Sequence, residues 1–410
     1  MPRFPAPSPA SACLQPAVFT RLLPLFERLP EPPLPLHIGD TYLDPPPDAQ
    51  LQVVSRNNDR AFYPYSSPNG DPALRRAFCR RWSGLGLENL TPERVHVTVG
   101  ATGAVQAAFR TFAGAGDEVL VLAPYWPLVR GIALSCAAVP VEVPFYDRLR
   151  TGATVEELLA PHTSARTSAV YMCSPNNPDG HVLSETQQRA LADYCIAHDL
   201  WLISDEAYCD HVFSPATHRF IANLPGMAER TASIYTTSKS YALAGIRIGF
   251  LVGDPRWLEA ARRVSTHQVY NVPLVNQRAA IAAIETGDVW LRSARARYAE
   301  AASYVHEHLE ATFAVAEGGG YVFCDVTEAL GEKPTLTWIG ELLYEGVAIA
   351  PGVAFGREYE RWVRICYMSL PLPALAQAVT RLNRSLDRLR RGAPVAYEGP
   401  RLTLSLGDHA

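Results

Sequence analysis

The sequence predicts an α/β protein: a large unit with a mostly parallel central sheet flanked by helices, then a smaller α+β unit. Three observations predict it. Between residues 70 and 287, short β-type apolar runs alternate with helical patterns, as in strands joined by helical crossovers. After Asp288 the order changes to a long helix, a few strands and a closing helix. The chain has 410 residues, 48% hydrophobic and 19% charged, which is enough for two cores and too apolar for disorder.

Taken in order, residues 1–16 (MPRFPAPSPASACLQP) are rich in Pro and Ser. They read as a flexible extension without the apolar stretch of a signal peptide. Residues 18–28 have an amphipathic helical pattern, weakened by Pro24. The connector LPEPPLPLHIGDTYLDPPP brackets a short apolar element at 36–38. The runs VHVTV, DEVLVLAP, AVYMCSP, LWLISDEAY, SIYTTS and IGFLVG read as strands, with GAVQAAFRTFAGA and SETQQRALADYCIAHDL among the helices between them. WLRSARARYAEAASYVHEHLEATF follows as a long helix, then EGGGYVFCDV, another helix, β runs at VAIAP and RWVRICYM, and a last helix to about Arg391. The expected divisions are an arm at 1–35, a large domain at 36–287, a small domain at 288–391 and a loose tail at 392–410. The charges near Arg292 and Arg388 read as solvated helix faces.

Bulk properties exclude several classes. The net charge of −4 leaves no basic excess to suggest nucleic acid or an anionic membrane as a partner. No apolar run approaches the ~18 residues of a membrane span. Eight cysteines are scattered without a CxxC pair, several in apolar runs. That suits reduced, buried thiols in a cytoplasmic protein, not a disulfide frame or a metal site.

In parallel α/β sheets ligands collect beyond the carboxyl ends of the strands, so the residues there carry the chemistry. After VHVTV comes GATGA, where small residues let backbone N–H groups approach an anion at the positive end of a helix, and Thr102 adds a hydroxyl. By itself such a start is more often a plain helix cap. Trp126 follows DEVLVLAP and offers a flat aromatic face. Asn177 lies in the SPNNPDG turn and offers an amide. Asp205 ends an apolar run, and a carboxylate buried there needs a cation or donors. Tyr208, close behind it, offers a phenol. Lys239 ends SIYTTSKS among small and hydroxyl residues, with Arg247 the next charge along. A single lysine is more often a surface charge. An anion cradle, a flat aromatic, an amide, a carboxylate with a phenol, and an amine together suit one ligand: pyridoxal 5′-phosphate, an aromatic, phosphorylated aldehyde with a basic ring nitrogen.

These residues, in this order, resemble the class I/II aminotransferases of the fold-type I pyridoxal-phosphate enzymes, over about residues 36–391. The most specific element, TTSKSYALAGIRIG, is similar to the family's lysine signature. Thr236 stands where the family usually has Ser or Gly, and Asp179 where it usually has Thr. The resemblance implies that Lys239 is the Schiff-base lysine and proton shuttle and that Asp205 pairs with the ring nitrogen. It implies that Asn177 and Tyr208 hold the phenolic oxygen and that Trp126 stacks on the ring. Ala101, Thr102, Thr236, Ser238 and Arg247 would clamp the phosphate. FYPYSSPNGDPALRRAF resembles the segment whose tyrosine, here Tyr65, reaches the cofactor of a partner subunit, which implies a homodimer with shared sites. RWVRICY implies that Arg364 binds the substrate's α-carboxylate, a task suited to its planar fork. Arg361 falls off that register. Gly39, in HIGDTYLDPP, matches a glycine that borders this carboxylate.

The implied activity is transfer of an amino group between an L-amino acid and a 2-oxo acid by a ping-pong mechanism. The same site in a lyase, cyclase or oxidase of secondary metabolism is the alternative. A non-catalytic ligand sensor fits less well, because residues 1–35 are too few and too Pro-rich for a DNA-binding module. The main aspartate aminotransferases use a second arginine near the position of STHQVYN. Here His267, Gln268 and Tyr270 occupy that region, with Arg262 and Arg263 further back, which favours a neutral, aromatic or polar side chain.

Overall fold

The computed structural model describes residues 9–14, 25–56 and 59–392. Its centre is a seven-stranded sheet: β1 (Val95–Val99), β2 (Glu118–Ala123), β3 (Val139–Pro144), β4 (Thr167–Cys173), β5 (Trp201–Asp205), β6 (Thr231–Thr236) and β7 (Ile248–Val252). The spatial order is β1-β7-β6-β5-β4-β2-β3. All neighbours are parallel except β7, which runs antiparallel to both β1 and β6. The reversal comes from chain length. Only residues 237–247 separate β6 from β7, and a parallel crossover needs about a dozen residues or more, usually with a full helix.

Strands β2, β6 and β7 are buried along their whole length. Helices on both faces bury both sides of these strands, and β2 and β7 accordingly read as near-continuous apolar runs instead of alternating ones. β3 escapes the sequence reading because VPVEVP is interrupted by Pro140 and Pro144. It sits at the sheet's edge, where a missing N–H donor is tolerated. Helix Gly100–Phe112 lays Ala104, Val105, Ala108, Phe109 and Phe112 into the core on one face of the sheet. On the other face, helix Glu185–Ala197 is started by a capping box between Ser184 and Gln187.

A second sheet contains β8 (Thr312–Phe313), β9 (Tyr321–Asp325), β10 (Ala350–Pro351) and β11 (Trp362–Cys366), in the order β10-β11-β9-β8 and antiparallel throughout. Helices Asp288–His308 and Leu372–Arg390 bury Tyr298, Val305, Leu375, Leu382 and Leu386 in the same core as this sheet. The short element expected at 36–38 lies two residues earlier. Leu34–Pro35 pair in parallel with Val347–Ala348, and Leu36 enters the core. The helix expected over 18–28 falls mostly outside the described residues, as does nearly all of the tail. Within the N-terminal extension, Pro9–Ala12 form a single helical turn.

Among the described residues no helix is long and apolar enough to cross a membrane, and no cluster of His, Cys, Asp or Glu is arranged to hold a metal. All eight cysteines are free thiols.

Candidate active site

Asp205 is the last residue of β5, paired with Cys173 on one side and Ile234 on the other. It is 5% exposed. Its Oδ2 accepts the Tyr171 hydroxyl at 2.8 Å and its Oδ1 accepts the Ala207 N–H at 3.1 Å. Burial pushes its carboxyl up to about 6, against these two hydrogen bonds, which favour the ionised form. No cation pairs with it among the described residues. Tyr171 was not legible as a site residue, because in AVYMC it is one more aromatic in an apolar strand.

On the neighbouring strand, Thr236 ends β6 and caps the single turn Thr237–Ser240 that carries Lys239. The Lys239 amine donates to the Gly39 carbonyl. Burial pulls that amine below the ordinary lysine range, and the charge of Asp40 offsets part of the effect. The turn is held from behind. His211 Nε2 lies 2.8 Å from the Lys239 carbonyl, and the Ser240 hydroxyl donates to Asp210 at 2.6 Å. Asp210 in turn pairs with Arg81 at 2.5 Å. The chain's other lysine, Lys333, is tied to Glu341 at 2.7 Å.

Arg364 comes to the site from β11 of the second sheet and is 2% exposed. Its Nη1 donates to Asn177 Oδ1 at 3.0 Å and its Nη2 to the His37 carbonyl at 2.6 Å. The guanidinium lies over the Tyr321 ring, 4.4 Å from its centroid. Tyr321 and Tyr208 share a hydrogen bond of 2.6 Å between their hydroxyls. Burial raises both phenols above their usual range, so both stay neutral at physiological pH. Gly39 has to be glycine here, because a Cβ would lie 2.4 Å from the Tyr321 hydroxyl. Tyr321 is a second residue the sequence reading missed. Arg361 points elsewhere and bonds the Thr327 and Gly331 carbonyls.

An anion cradle lies at the start of helix Gly100–Phe112. The helix has no side-chain cap, so its first N–H groups, at Ala101 and Thr102, are free of one. Gly100 has φ +66, and a Cβ there would come within 2.5 Å of Arg247 Nη2. Gly249 on β7 likewise lets the two backbones meet, since a Cβ would touch the Gly100 carbonyl carbon at 2.3 Å. Thr236 Oγ1 donates to the Ile248 carbonyl at 2.8 Å and lies 2.9 Å from Ser238 Oγ. Arg247 is itself left-handed at φ 58, and its Nη1 bonds the Ala244 carbonyl at 2.8 Å. Trp126 is half-buried against the core on this face.

Tyr65 is an exposed member of the expected set, and its neighbour Tyr270 lines one cavity with Thr102 and Arg247. Tyr65 is 85% exposed and meets Tyr270 edge-on, with ring centroids 5.0 Å apart. Tyr270 is 48% exposed at the end of helix Pro255–Val269. Arg262 bonds the Glu93 and Val95 carbonyls, Arg263 the Glu259 carbonyl, and His267 lies against the Arg263 carbonyl of its own helix.

The donor set fits pyridoxal 5′-phosphate. Asp205 is a buried carboxylate lacking a cation, as a protonated ring nitrogen requires. The uncapped helix start beside Arg247 suits the phosphate, and the Lys239 amine is available to an aldehyde. Fold and site together define a fold-type I enzyme that uses this cofactor. Residues 31–382 match the family Aminotransferase class I and II, and the chain belongs to that family. It is 32% identical to the arginine–pyruvate transaminase AruH of Pseudomonas aeruginosa, over 80% of this chain and 84% of that protein. It is 30% identical to an aspartate aminotransferase of Geobacillus stearothermophilus, over 83% and 87% respectively. The aspartate aminotransferase of Thermus thermophilus with maleate superimposes with a TM-score of 0.85 at 26% identity, covering 93% of this chain and 100% of that one. The protein is thus a pyridoxal-phosphate-dependent aminotransferase.

Proposed function

We propose that Lys239 would hold the cofactor through its aldehyde and that its amine, when free, would move the proton at the substrate's Cα. The observation that carries this reading is that neighbouring strands end close to a part-buried amine, Lys239, and a buried carboxylate that lacks a cation, Asp205. When bound, the cofactor supplies an electron sink that makes this proton removable. The lowered pKa of Lys239 keeps more of its amine in the free-base form that accepts a proton. Asp205 would hold the ring nitrogen's proton, a charge-assisted bond worth roughly 1.5–3 kcal/mol. Asn177 and Tyr208 would orient the phenolic oxygen, and Trp126 would cover one face of the ring. Ala101, Thr102, Thr236, Ser238 and Arg247 take the phosphate. Arg364 turns its fork to the α-carboxylate, with Gly39 leaving room beside it.

Tyr65 is exposed on this chain and is inferred to complete the phosphate site of a second copy in a homodimer. Arg262 and Arg263 are engaged on their own helix and its surroundings. This supports a neutral, aromatic or polar amino donor over aspartate. The division into a large domain at 36–287 and a small one at 288–391, and a cytoplasmic setting, belong to the same reading.

The test is a single half-reaction. Protein loaded with cofactor is mixed with one amino acid and no acceptor. The reading expects one equivalent of 2-oxo acid per site and a matching loss of visible absorbance. Continued product with ammonia, hydrogen peroxide or a cyclised product would replace it with the lyase, oxidase or cyclase alternative.

A further inference from the structure

The turn that carries Asn177 is tied down by a cluster of charges that the activity itself does not use. Asp179, 9% exposed, accepts the Asn176 amide at 2.8 Å and the His181 N–H at 3.3 Å through Oδ1. Its Oδ2 faces Arg150 Nε at 3.8 Å. Arg150 Nη2 lies 4.0 Å from Glu317 Oε2, so one guanidinium stands between two carboxylates. The same Glu317 oxygen accepts the Val182 N–H at 2.8 Å and lies 3.1 Å from His181 Nδ1.

Backbone contacts run alongside. The N–H groups of Glu317 and Gly318 both reach the Gly180 carbonyl at 3.0 Å. Gly180 has φ +68 and lies so close to the loop that a Cβ would meet Ala316 and the Gly318 carbonyl at 2.8 Å. Residues 316–318 lead into β9 of the second sheet, and residues 176–182 leave β4 of the first. The cluster therefore joins the two layers next to the point where Arg364, from the second, meets Asn177, from the first.

We propose that Arg150 and Asp179 are positioning residues that lock the 176–182 turn onto the 316–318 loop and so fix the Asn177 amide against Arg364 and the cofactor's phenolic oxygen. A threonine hydroxyl can satisfy the same amide donors, but it brings no charge for Arg150. The guanidinium and the aspartate therefore act as a pair: removing Arg150 leaves Asp179 without a cation, and removing Asp179 leaves Arg150 only the more distant Glu317. The proposal rests on the reading of Asn177 as a cofactor contact.

The experiment compares Asp179→Thr, Arg150→Met, their double variant and Asn177→Ala, each loaded with cofactor. Three quantities are read: the pH midpoint of the visible absorbance change, the KM and kcat for an amino acid, and the Tm. Asn177→Ala is expected to raise the midpoint by about one unit. The amide then no longer competes for the phenolic oxygen with the titrating proton beside it. Asp179→Thr and Arg150→Met are each expected to raise it by about half a unit, and the double variant no further than either alone, as for residues acting through one contact. A raised midpoint in Asn177→Ala with an unmoved midpoint in the other variants, whatever their Tm, would reduce the cluster to a structural brace. An unmoved midpoint in Asn177→Ala itself would overturn the reading of Asn177, and this inference with it.

Discussion

Arg364 and Asn177 hold each other across two sheets: Nη1 of the arginine donates to Oδ1 of the asparagine at 3.0 Å. The arginine's second arm, Nη2, is taken by the His37 carbonyl at 2.6 Å. A guanidinium so fixed is held in one orientation, which is what a carboxylate with two parallel oxygens requires.

Arg364→Lys keeps the charge and loses the fork. Loss of about 1.5–3 kcal/mol of charge-assisted bonding predicts a fall of roughly 10- to 100-fold in kcat/KM. Steady-state kinetics with an amino donor read this, and the larger share is expected in KM.

Asp205→Asn should separate stability from function. Burial raises the carboxyl from its ordinary 3.8 to about 6, so between these values the folded, cofactor-free protein binds more protons than the unfolded chain. Stability from this group is therefore lost as pH rises through that window, at a cost of roughly 3 kcal/mol once the group is ionised. Asparagine removes the cost. Denaturant unfolding of the cofactor-free proteins should find the variant more stable above pH 6 and the difference gone below pH 4. Retention of the cofactor should meanwhile fall.

Gly100→Ala puts a Cβ 2.5 Å from Arg247 Nη2 at a backbone with φ +66. Strain of about 1–2 kcal/mol and a displaced guanidinium predict cofactor binding weakened roughly tenfold or more. Equilibrium titration of the cofactor-free variant measures it.

Tyr65→Phe removes one hydroxyl from an exposed side chain. If that hydroxyl serves the site of a second copy, the dissociation constant for cofactor rises about five- to tenfold, as for one lost hydrogen bond. Sedimentation should give the same oligomeric state for both proteins, and Tm without cofactor should be unchanged.

Much of this site was legible because a parallel sheet sends its chemistry to the carboxyl ends of its strands. Asp205, Asn177 and Lys239 could be read from their places at or just past the ends of apolar runs. The missed residues are hidden by the same logic. Tyr171 lies inside a strand and bonds Asp205 from within the core, and Tyr321 opens a strand of the second sheet after a run of glycines. Neither position carries a local signal, since each matters only through a neighbour distant in sequence. The edge strand β3 was missed because its prolines argue against a central strand. The reversal of β7 was not read because connection length, not composition, decides it.

The most direct measurement asks which amine holds the cofactor. The chain has only two lysines, Lys239 and Lys333, and the second is engaged by Glu341. Borohydride reduction of the loaded protein, then proteolysis and mass spectrometry, should find the cofactor's mass on the peptide containing Lys239 and lose it in Lys239→Ala. The mass on Lys333, or on neither lysine in a protein that still turns over, would contradict the account.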